Sequence, residues 1–394
     1  MCAIFGIFDH SSKSSKKSLI RQTEEMSKSM RMRGPDNFGI YSDNNLVIGH
    51  NRLSIIDLRK ISNQPMSSIS GRFVISFNGE IYNYNQLAVP FRNLKTLSDT
   101  EVLLEMIEKF GIDKTLEKIE GMYAFAVYDK KLKRFYLVRD RSGMKPLYWG
   151  FINNIFFFSS DIAGIKKIKN INLEVDRNSV CNYFRHNFIP APYSIYKNIK
   201  KLEHGSIVCF SQGKILFEKK YYENHPKNSN FVKSKSFKEV TYEVKQLIED
   251  SIKNCMVSDL KVGSFLSGGM DSSVISVIMS QLSNKRIDTF YIGFNEKGFD
   301  EREYANEIVS TIKSNHVEIY LDDTTALDFI PNIHEIHSEP FADSSQIPTY
   351  FLSKFTKRKN TVVCSGDGGD EIFGGYYRYE YVKNIHLANK FIPN

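Results

Sequence analysis

The second residue of the chain is a cysteine that could act as a nucleophile. Cys2 is small and follows Met1, so an aminopeptidase would remove the initiator and leave Cys2 with a free α-amine. An α-amine has a reference pKa of about 8, close enough to neutrality to take the thiol proton directly or through water. The thiolate could then attack an amide, form a thioester and release ammonia. On position alone, a small apolar residue at the head of a strand explains Cys2 better.

A second group, residues 262–273, has the composition of a phosphate-binding loop. It reads V-G-S-F-L-S-G-G-M-D-S-S, an apolar strand followed by two glycines, an acidic residue and hydroxyls before an apolar helix. The Gly-Lys-Ser/Thr of a Walker loop is absent. Backbone N–H groups from Ser267 to Gly269 would bind anionic oxygens, and Ser272, Ser273 and the positive end of the helix would complete the site.

Acidic residues in and beyond this loop could hold a metal ion. Nucleotides arrive with magnesium, which prefers oxygen ligands and usually takes one or two protein carboxylates. Asp271 is the first candidate. Further acids occur in residues 365–376, which read S-G-D-G-G-D-E-I-F-G-G-Y and follow a short apolar strand, Thr361 to Cys364. Such a loop in isolation is more often structural than functional.

Six motifs behind Cys2 favour the nucleophile over the structural explanation. They are R-G-P-D (33–36), G-H-N-R-L-S-I-I-D (49–57), Q-P-M (64–66), F-N-G-E-I-Y-N (77–83), S-D-T-E (98–101) and R-D-R-S-G-M-K-P-L-Y (139–148). In this order behind an initial Met-Cys, they resemble class II glutamine amidotransferases of the asparagine synthetase type. The resemblance covers the whole first half of the chain and implies that Cys2 hydrolyses glutamine.

Glutamine is a free amino acid, so its pocket needs a fork-shaped cation for the α-carboxylate and an anion for the α-ammonium. The resemblance assigns the carboxylate to Arg52 and the ammonium to Asp99 together with Glu80. It assigns the tetrahedral oxyanion to the Asn78 side chain and the Gly79 backbone N–H. Taken singly, Arg52 could be a surface ion pair, Asn78 and Gly79 an ordinary turn, and Asp99 a helix start.

The second half resembles the synthetase domain of the same family, an ATP-pyrophosphatase that splits ATP into AMP and pyrophosphate. The resemblance implies ATP and Mg²⁺ as cofactors, with Asp271 and Asp370 on the metal. It implies that the backbone of Leu266 and Ile292, at strand ends, contacts adenine. The remaining expected nucleotide contacts are Ser267, Gly268, Gly269, Asp271, Ser272, Ser365 and Gly366.

Asp367 stands where the best-known asparagine synthetases carry Glu, a residue associated with forming the acyl-adenylate or handling its ammonia. Asp keeps the charge but is one methylene shorter, so a proton transfer would need different positioning. Residues 338–350, S-E-P-F-A-D-S-S-Q-I-P-T-Y, also resemble the domain and could line the acceptor side. Glu339 and Asp343 could equally be structural.

The periodicity of the chain predicts two architectures. Short apolar strands over the first 200 or so residues are interrupted by two helices, the better of which lies at about 100–110 and is capped by Ser98, Glu101 and Gly111. This pattern predicts an α+β domain with two sheets. The resemblance implies the αββα sandwich of N-terminal-nucleophile hydrolases. We expect this domain at 1–210, a polar connecting segment at 211–238, and at 239–394 an α/β domain whose alternating strands and helices predict a parallel sheet.

Bulk composition excludes several functional classes. The 394 residues are 41% hydrophobic, enough for two cores, and no run is long and apolar enough for a membrane helix. The net charge of +8 comes largely from lysines in Ser- and Asn-rich stretches without an RNA-binding aromatic motif, so no nucleic-acid role is expected. Five cysteines without C-x-x-C spacing predict a reducing cytoplasm and no structural zinc.

The resemblance therefore implies a glutamine-dependent asparagine synthetase whose substrates are glutamine, aspartate and ATP. One alternative keeps the machinery but amidates another carboxylate, such as a sugar acid in surface polysaccharide synthesis. Another is a truncated protein that binds glutamine or a nucleotide without synthesis, because family members generally continue beyond this length and the synthetase domain is expected to be incomplete at its C-terminus. A homodimer is a further expectation from the resemblance.

Overall fold

A computed structural model describes residues 1–11, 13–223, 235–294 and 301–389 of the chain. The chain divides into two compact units. The first comprises residues 1–234 and 331–344, and the second comprises residues 235–330 and 345–394. Residues 331–344 thus belong to the first unit, although they lie inside the segment 239–394 that was predicted as the synthetase domain.

Strands and helices are numbered in chain order. The strands are Ala3–Asp9 (β1), Asn37–Asp43 (β2), Leu46–Arg52 (β3), Met66–Ser67 (β4), Phe73–Ile81 (β5), Gly121–Asp129 (β6), Arg134–Arg139 (β7), Tyr148–Ile152 (β8), Ile155–Ser159 (β9), Ile199–Lys201 (β10), Ser206–Ser211 (β11), Lys214–Lys220 (β12), Val262–Phe265 (β13), Asp288–Phe294 (β14), Asn315–Leu321 (β15) and Val362–Cys364 (β16). The α-helices are Lys16–Ser29 (α1), Tyr84–Ala88 (α2), Asp99–Phe110 (α3), Ile112–Lys118 (α4), Ile162–Ile165 (α5), Arg177–His186 (α6), Phe237–Cys255 (α7), Met270–Leu282 (α8), Arg302–Ile312 (α9), Asp323–Phe329 (α10), Ile333–Ile336 (α11), Gln346–Thr356 (α12), Gly369–Phe373 (α13) and Tyr377–Asn389 (α14).

The first unit contains two antiparallel six-stranded sheets. Their strand orders are β10-β8-β9-β1-β3-β2 and β12-β11-β7-β6-β5-β4. One apolar core joins the two sheets and includes Ile4 and Ile48 from the first and Val74 and Ala124 from the second. Helices α3 and α4 pack on the outer face of the second sheet, and α1 and α5 pack on that of the first. This is the expected four-layer αββα arrangement.

Strand β1 lies in the interior of its sheet, which explains why the start of the chain is so apolar. It pairs with β3 on one side and β9 on the other, in a register that sets Ala3 opposite Asn51. Alternate side chains face opposite sides of a sheet, so Ile4 enters the core between the sheets while Phe5 packs toward the helices. Cys2 is therefore held at the head of β1 beside the end of β3.

The helix predicted at about 100–110 is confirmed as α3, with one correction to its cap. The Ser98 side chain accepts a hydrogen bond from the Glu101 N–H at 3.3 Å, and Gly111 ends the helix at φ +80°. The Glu101 carboxylate, however, accepts from the N–H groups of Lys95 and Thr96 instead of that of Ser98. The Ser98 half of the expected capping box therefore forms, whereas the Glu101 side chain fixes the loop before the helix.

The segment expected to connect the domains, 211–238, contains a strand. Its residues 214–220 form β12, which pairs with β11 as the edge strand of the second sheet. Residues 224–234 lie outside the described residues. Helix α7 then begins with a complete capping box in which Ser236 and Glu239 bond reciprocally.

The second unit is built on a four-stranded parallel sheet, as the alternating pattern predicts. The strand order is β15-β14-β13-β16, and every adjacent pair runs parallel. Helices α7 and α8 pack beside this sheet through Ile252, Ile278 and Met279. The chain leaves β13 in one direction toward β14 and later returns to pair β16 on its other side. The loops after β13 and β16 therefore meet at a switch point, where open α/β sheets bind ligands.

The described residues were also compared with what a membrane span and a disulfide require. Among the described residues, no helix has both the length and the apolarity that crossing a membrane requires. All five cysteines, each within the described ranges, are free thiols.

Candidate functional site

Cys2 lies half-buried between the backbone at the end of β3 and the arginine of the R-G-P-D motif. Its Sγ lies 3.4 Å from the Leu53 nitrogen, which donates to it, and 3.6 Å from the Leu53 carbonyl oxygen. The Arg33 Nε donates to the Cys2 carbonyl oxygen at 3.3 Å. These contacts fix the residue on both its backbone and its sulfur, which a nucleophile requires.

The charge state of the Cys2 thiol depends on its surroundings. Burial raises its pKa above the ordinary value, and this effect outweighs the hydrogen bond from Leu53 and the positive charges of the N-terminus and Arg52, which lower the pKa. The protein therefore favours the neutral thiol at rest. A base at the site is needed to form the thiolate, and an α-amine on Cys2 itself would supply one.

Arg52 is a buried guanidinium without an acidic partner. Its Nη1 donates to the Arg59 carbonyl at 3.1 Å and to the Asn63 side chain at 2.7 Å, and its Nη2 donates to the carbonyls of Ile56 and Asp57. Within the described ranges, no carboxylate lies within ion-pair distance of it. Because carbonyl and amide oxygens orient the group and nearby acids act on it only from a distance, the site suits an incoming carboxylate that binds the guanidinium directly.

Two acids lie buried near the same thiol. Burial is the first cause that raises the pKa of Asp99 to about 6 and that of Glu80 to about 7, and the charge of Asp99 adds to the rise at Glu80. The Ile81 N–H donates to Asp99 at 3.0 Å. Burial therefore disfavours the ionised form of both acids. A cation bound beside them would stabilise that form, and a substrate ammonium is such a cation.

Asn78 and Gly79 lie in β5, not in the turn that a structural explanation would require. The Asn78 Nδ2 is buried and has no hydrogen-bond partner among the described residues. A buried donor left free is costly unless a ligand satisfies it, so this amide is available to an oxyanion. A Cβ at Gly79 would lie 2.2 Å from the Met122 carbonyl oxygen, so the adjacent strand also requires glycine there.

His50 could have been a competing general base, but its surroundings exclude this. It is fully buried, and burial lowers its pKa to about 3. Its Nε2 lies 3.0 Å from the Phe77 carbonyl, while the Ser76 hydroxyl donates to the Gly49 carbonyl at 3.0 Å. Both contacts join β3 to β5 across the two sheets. The neutral histidine thus fixes the strand that carries Asn78.

Residues 139–148 are largely structural. The Arg139 guanidinium donates to the carbonyls of Gly143, Lys145 and Leu202, and the Asp140 carboxylate accepts four backbone N–H groups. These contacts shape the turn that carries Lys145 to the site. Lys145 is buried; burial lowers the pKa of its amine, and the charge of Glu80 opposes that shift.

Arg33 and Lys145 were therefore missing from the predicted site. Both stand in motifs that mark the family resemblance, which was the available signal. Their closeness to Cys2 and Glu80 depends on contacts between residues far apart in the chain, which spacing alone does not reveal.

In the second unit, residues 266–272 form the turn from β13 into α8. Leu266 is buried, and its N–H donates to the Phe290 carbonyl oxygen on β14 at 2.9 Å. The Ser272 hydroxyl accepts from the Ser267 N–H at 3.2 Å and contacts the Ser267 hydroxyl at 2.9 Å. Gly268 has φ +89°, a conformation that side chains disfavour. The turn therefore places small polar groups at the N-terminus of α8, as a phosphate site needs.

The loop after β16 lies against this turn, so the sheet brings the two expected halves of the nucleotide site together. A Cβ at Gly366 would lie 3.0 Å from the Ser272 nitrogen, and one at Gly369 would lie 2.2 Å from Asp271 Oδ2. The Ser365 hydroxyl donates to the Asp367 carboxylate at 2.9 Å. The glycines thus allow the close approach of the acidic loop.

The remaining predicted residues occupy less distinctive positions. Ile292 lies within β14, opposite Ile319 of β15. Asp370 lies in the first turn of the short helix α13, and its carbonyl accepts from Gly374 and Gly375. Within the described ranges, no group of three or more His, Cys, Asp or Glu residues has the arrangement of a metal site. Two carboxylates, Asp271 and Asp370, still suit magnesium, which needs few protein ligands.

Glu339 has a structural role in the first unit. Its carboxylate accepts from the Tyr148 hydroxyl at 2.8 Å and the Ile195 N–H at 2.7 Å, and forms an ion pair with Lys201 at 2.8 Å. Ser338 donates to Asp161 beside it. These largely buried contacts explain why residues 331–344 belong to the first unit.

Comparison with protein families divides the chain in the same order. A model described as glutamine amidotransferase domain matches residues 1–222, and one described as asparagine synthase matches residues 243–393.

Similar proteins match along nearly the whole chain. It is 37% identical to a Methanocaldococcus jannaschii protein named putative asparagine synthetase (glutamine-hydrolyzing) 2, over 98% of this chain and 78% of that protein. It is 34% identical to asparagine synthetase (glutamine-hydrolyzing) 1 of Bacillus subtilis, over 96% of this chain and 59% of that protein. For asparagine synthetase B (glutamine-hydrolyzing) of Escherichia coli, the identity is 29%, over 98% of this chain and 66% of that protein.

Substituting Asp99 tests whether its buried charge destabilises the fold. Its pKa of about 6 lies above the ordinary 3.8, so the free energy of unfolding falls as the pH rises from about 4 to about 6. We expect Asp99→Asn to be more stable than wild type at pH 7.5 by on the order of 2 kcal/mol, and nearly equal to it below pH 4. Thermal unfolding across this pH range measures the difference.

Asp129→Asn is the matched control. Hydrogen bonds from Arg72 and nearby backbone N–H groups outweigh burial and lower the pKa of Asp129, so its charge stabilises the fold above that pKa. This variant should lose stability at neutral pH. A loss of stability in Asp99→Asn at pH 7.5 would contradict the assigned electrostatics.

Proposed function

This chain belongs to the glutamine-hydrolysing asparagine synthetase family, and on that premise we propose that it makes asparagine with glutamine as the nitrogen donor. Glutamine is hydrolysed in the first unit, and ATP activates aspartate in the second. The observation that carries the proposal is the Cys2 thiol beside an unneutralised buried cation, Arg52, and the buried acids Glu80 and Asp99. A free amino acid with a side-chain amide offers an amide carbon to Cys2, a carboxylate to Arg52 and an ammonium to Glu80 and Asp99.

The glutaminase step uses groups of the first unit. After removal of Met1, the α-amine of Cys2 takes the thiol proton, and the thiolate attacks the side-chain amide carbon of glutamine. The oxyanion accepts hydrogen bonds from the Asn78 side chain and the Gly79 N–H. The proton passes to the leaving nitrogen, ammonia departs, and a thioester remains. Water hydrolyses the thioester to glutamate and restores the thiol.

The synthetase step uses the switch point of the parallel sheet. The N–H groups of 267–269 and the Ser272 hydroxyl bind the ATP phosphates at the start of α8. For this, Ser267 and Gly269 exchange their N–H hydrogen bonds to the Ser272 and Ser267 hydroxyls for phosphate oxygens. An aspartate carboxylate oxygen attacks the α-phosphorus, and pyrophosphate leaves. Ammonia then attacks the acyl carbon, and AMP leaves as asparagine forms.

Magnesium fits this site through carboxylate oxygens. Asp271 and Asp370 are the side chains that would hold it, since Asp271 faces the acidic loop and Asp370 lies within that loop. When bound, the metal would neutralise phosphate charge. We place the reaction in the cytoplasm, whose reducing conditions keep the Cys2 thiol free.

The decisive experiment tests the acceptor. We expect the 394-residue chain to release AMP from Mg-ATP with ammonium only when aspartate is present, and to form asparagine in equal amount. Product analysis by chromatography measures both. AMP release with a sugar acid but not with aspartate would assign the machinery to another carboxylate, and glutamine binding without turnover of either substrate would reject catalysis.

Cys2→Ala should separate the two reactions. Glutamine-dependent synthesis should fall by more than about 1,000-fold because the nucleophile is lost, whereas synthesis from ammonium should continue. The exposed Cys181 provides a control, since Cys181→Ala should retain both reactions. Loss of the ammonium reaction in Cys2→Ala would contradict the division of labour between the units.

Asp271→Asn should have the opposite effect. AMP release should fall by at least about 100-fold because a carboxylate at the phosphate site is removed, while glutamine hydrolysis should remain near the wild-type rate. Asp323→Asn, at the start of α10 in the same unit, serves as the control and should release AMP normally. Unchanged AMP release in Asp271→Asn would remove this residue from the nucleotide site.

A further inference from the structure

Asp57 stands out among the buried residues to which the proposed reaction assigns no role. It is 3% exposed, lies in the loop between β3 and β4, and adopts a left-handed φ of +52°. Backbone strain of this kind persists only where surrounding contacts impose it. The contacts of Asp57 run toward both binding groups of the glutamine site.

The first set of contacts leads to Arg52. The Asp57 carbonyl accepts a hydrogen bond from Arg52 Nη2. The Asp57 carboxylate receives Arg59 Nε and Nη2, each at 2.7 Å, and the Arg59 N–H at 3.2 Å. The Arg59 carbonyl in turn accepts from Arg52 Nη1 at 3.1 Å. Asp57 thus holds two of the oxygens that orient the guanidinium, one directly and one through Arg59.

The second set of contacts leads to Asp99. The Asp57 Oδ2 accepts the Leu97 N–H at 2.8 Å and the Ser62 hydroxyl at 2.6 Å. Leu97 precedes Ser98, the cap of α3, and Asp99 is the first residue of that helix. One carboxylate therefore ties the loop around Arg52 to the start of the helix that carries Asp99.

The charge of Asp57 is permanent under working conditions. The hydrogen bonds from Arg59 are the largest cause that holds the pKa of this carboxyl well below its usual range, with Ser62 and Leu97 adding to the effect against burial. A carboxylate that accepts from three partners on two loops fixes their separation more tightly than a neutral amide could.

We propose that Asp57 is the positioning residue that sets the distance between the carboxylate-binding Arg52 and the ammonium-binding Asp99, and so determines affinity for free α-amino acids. The inference rests on the proposed glutaminase function and extends it. Asp57 touches neither the substrate nor Cys2 in this role. It acts on glutamine binding through the two groups that it holds.

Asp57→Asn tests the inference by separating KM from kcat. We expect the KM for glutamine to rise at least 10-fold, kcat for glutamine hydrolysis to stay within about threefold of wild type, and synthesis from ammonium to be unchanged. Calorimetry on the Cys2→Ala chain, with and without Asp57→Asn, should show the same 10-fold loss of glutamine affinity without turnover.

Asp129→Asn is a closely matched control. Both aspartates have side chains that are 2% exposed, and both pair with an arginine, Asp57 with Arg59 at 2.7 Å and Asp129 with Arg72 at 2.6 Å. Asp129 also accepts two backbone N–H groups, but on a turn between β6 and β7. It should lose comparable stability and keep the wild-type KM. Equal KM values for the two variants would mean that Asp57 is only structural.

Arg59→Gln keeps the inference testable if Asp57→Asn fails to fold. The Arg59 side chain is 54% exposed, so its loss should leave the fold intact while removing the ion pair to Asp57. We expect a rise of about threefold in KM, with kcat retained. An unchanged KM here, or a fall in kcat alone in either variant, would overturn the inference. Absence of glutamine hydrolysis in the wild-type chain would instead reject the proposed function.

Discussion

The first unit depends on keeping a buried cation and two buried acids from neutralising one another. Arg52 is held by carbonyl and amide oxygens, and burial keeps the pKa values of Glu80 and Asp99 raised, although the charge of Lys145 opposes the rise at Glu80. Each buried charge costs several kcal/mol unless compensated. A zwitterionic amino acid brings both missing charges at once. The site is therefore complementary to a substrate that satisfies the two ends together and discriminates against one that satisfies a single end.

The sheets provide the rigidity that this separation requires. Cys2 and Arg52 lie at the paired ends of β1 and β3, while Asn78 lies on β5 of the facing sheet. Contacts from His50 to Phe77 cross between the sheets beside these residues, within a close-packed core. Because packed interiors deform little, Cys2, Arg52 and Asn78 keep their mutual geometry.

Local sequence signals predicted much of the fold and part of the site. Periodicity and capping located α3 and the parallel sheet. They gave no bounds for α1, because its lysines and serines mask the spacing of Leu19, Thr23 and Met26 on one face. Motif resemblance singled out Arg52, for example, as a predicted site residue. It could not reveal that Glu339, more than a hundred residues from Tyr148 and Lys201, packs in the first unit. Contacts of that kind depend on tertiary packing, which no short pattern records.

The pairing of β13 with β16 has a consequence for biosynthesis. Val262 pairs with Val362, so the phosphate-binding turn leaves the ribosome about 100 residues before the strand that completes its sheet edge. At roughly 5–20 residues per second, this interval is on the order of 5–20 s. During that time β13 has one open edge, and its unpaired N–H and C=O groups could pair with another nascent chain. The turn from β13 into α8, where we propose that nucleotide binds, thus depends for its sheet edge on a strand that is made late in translation.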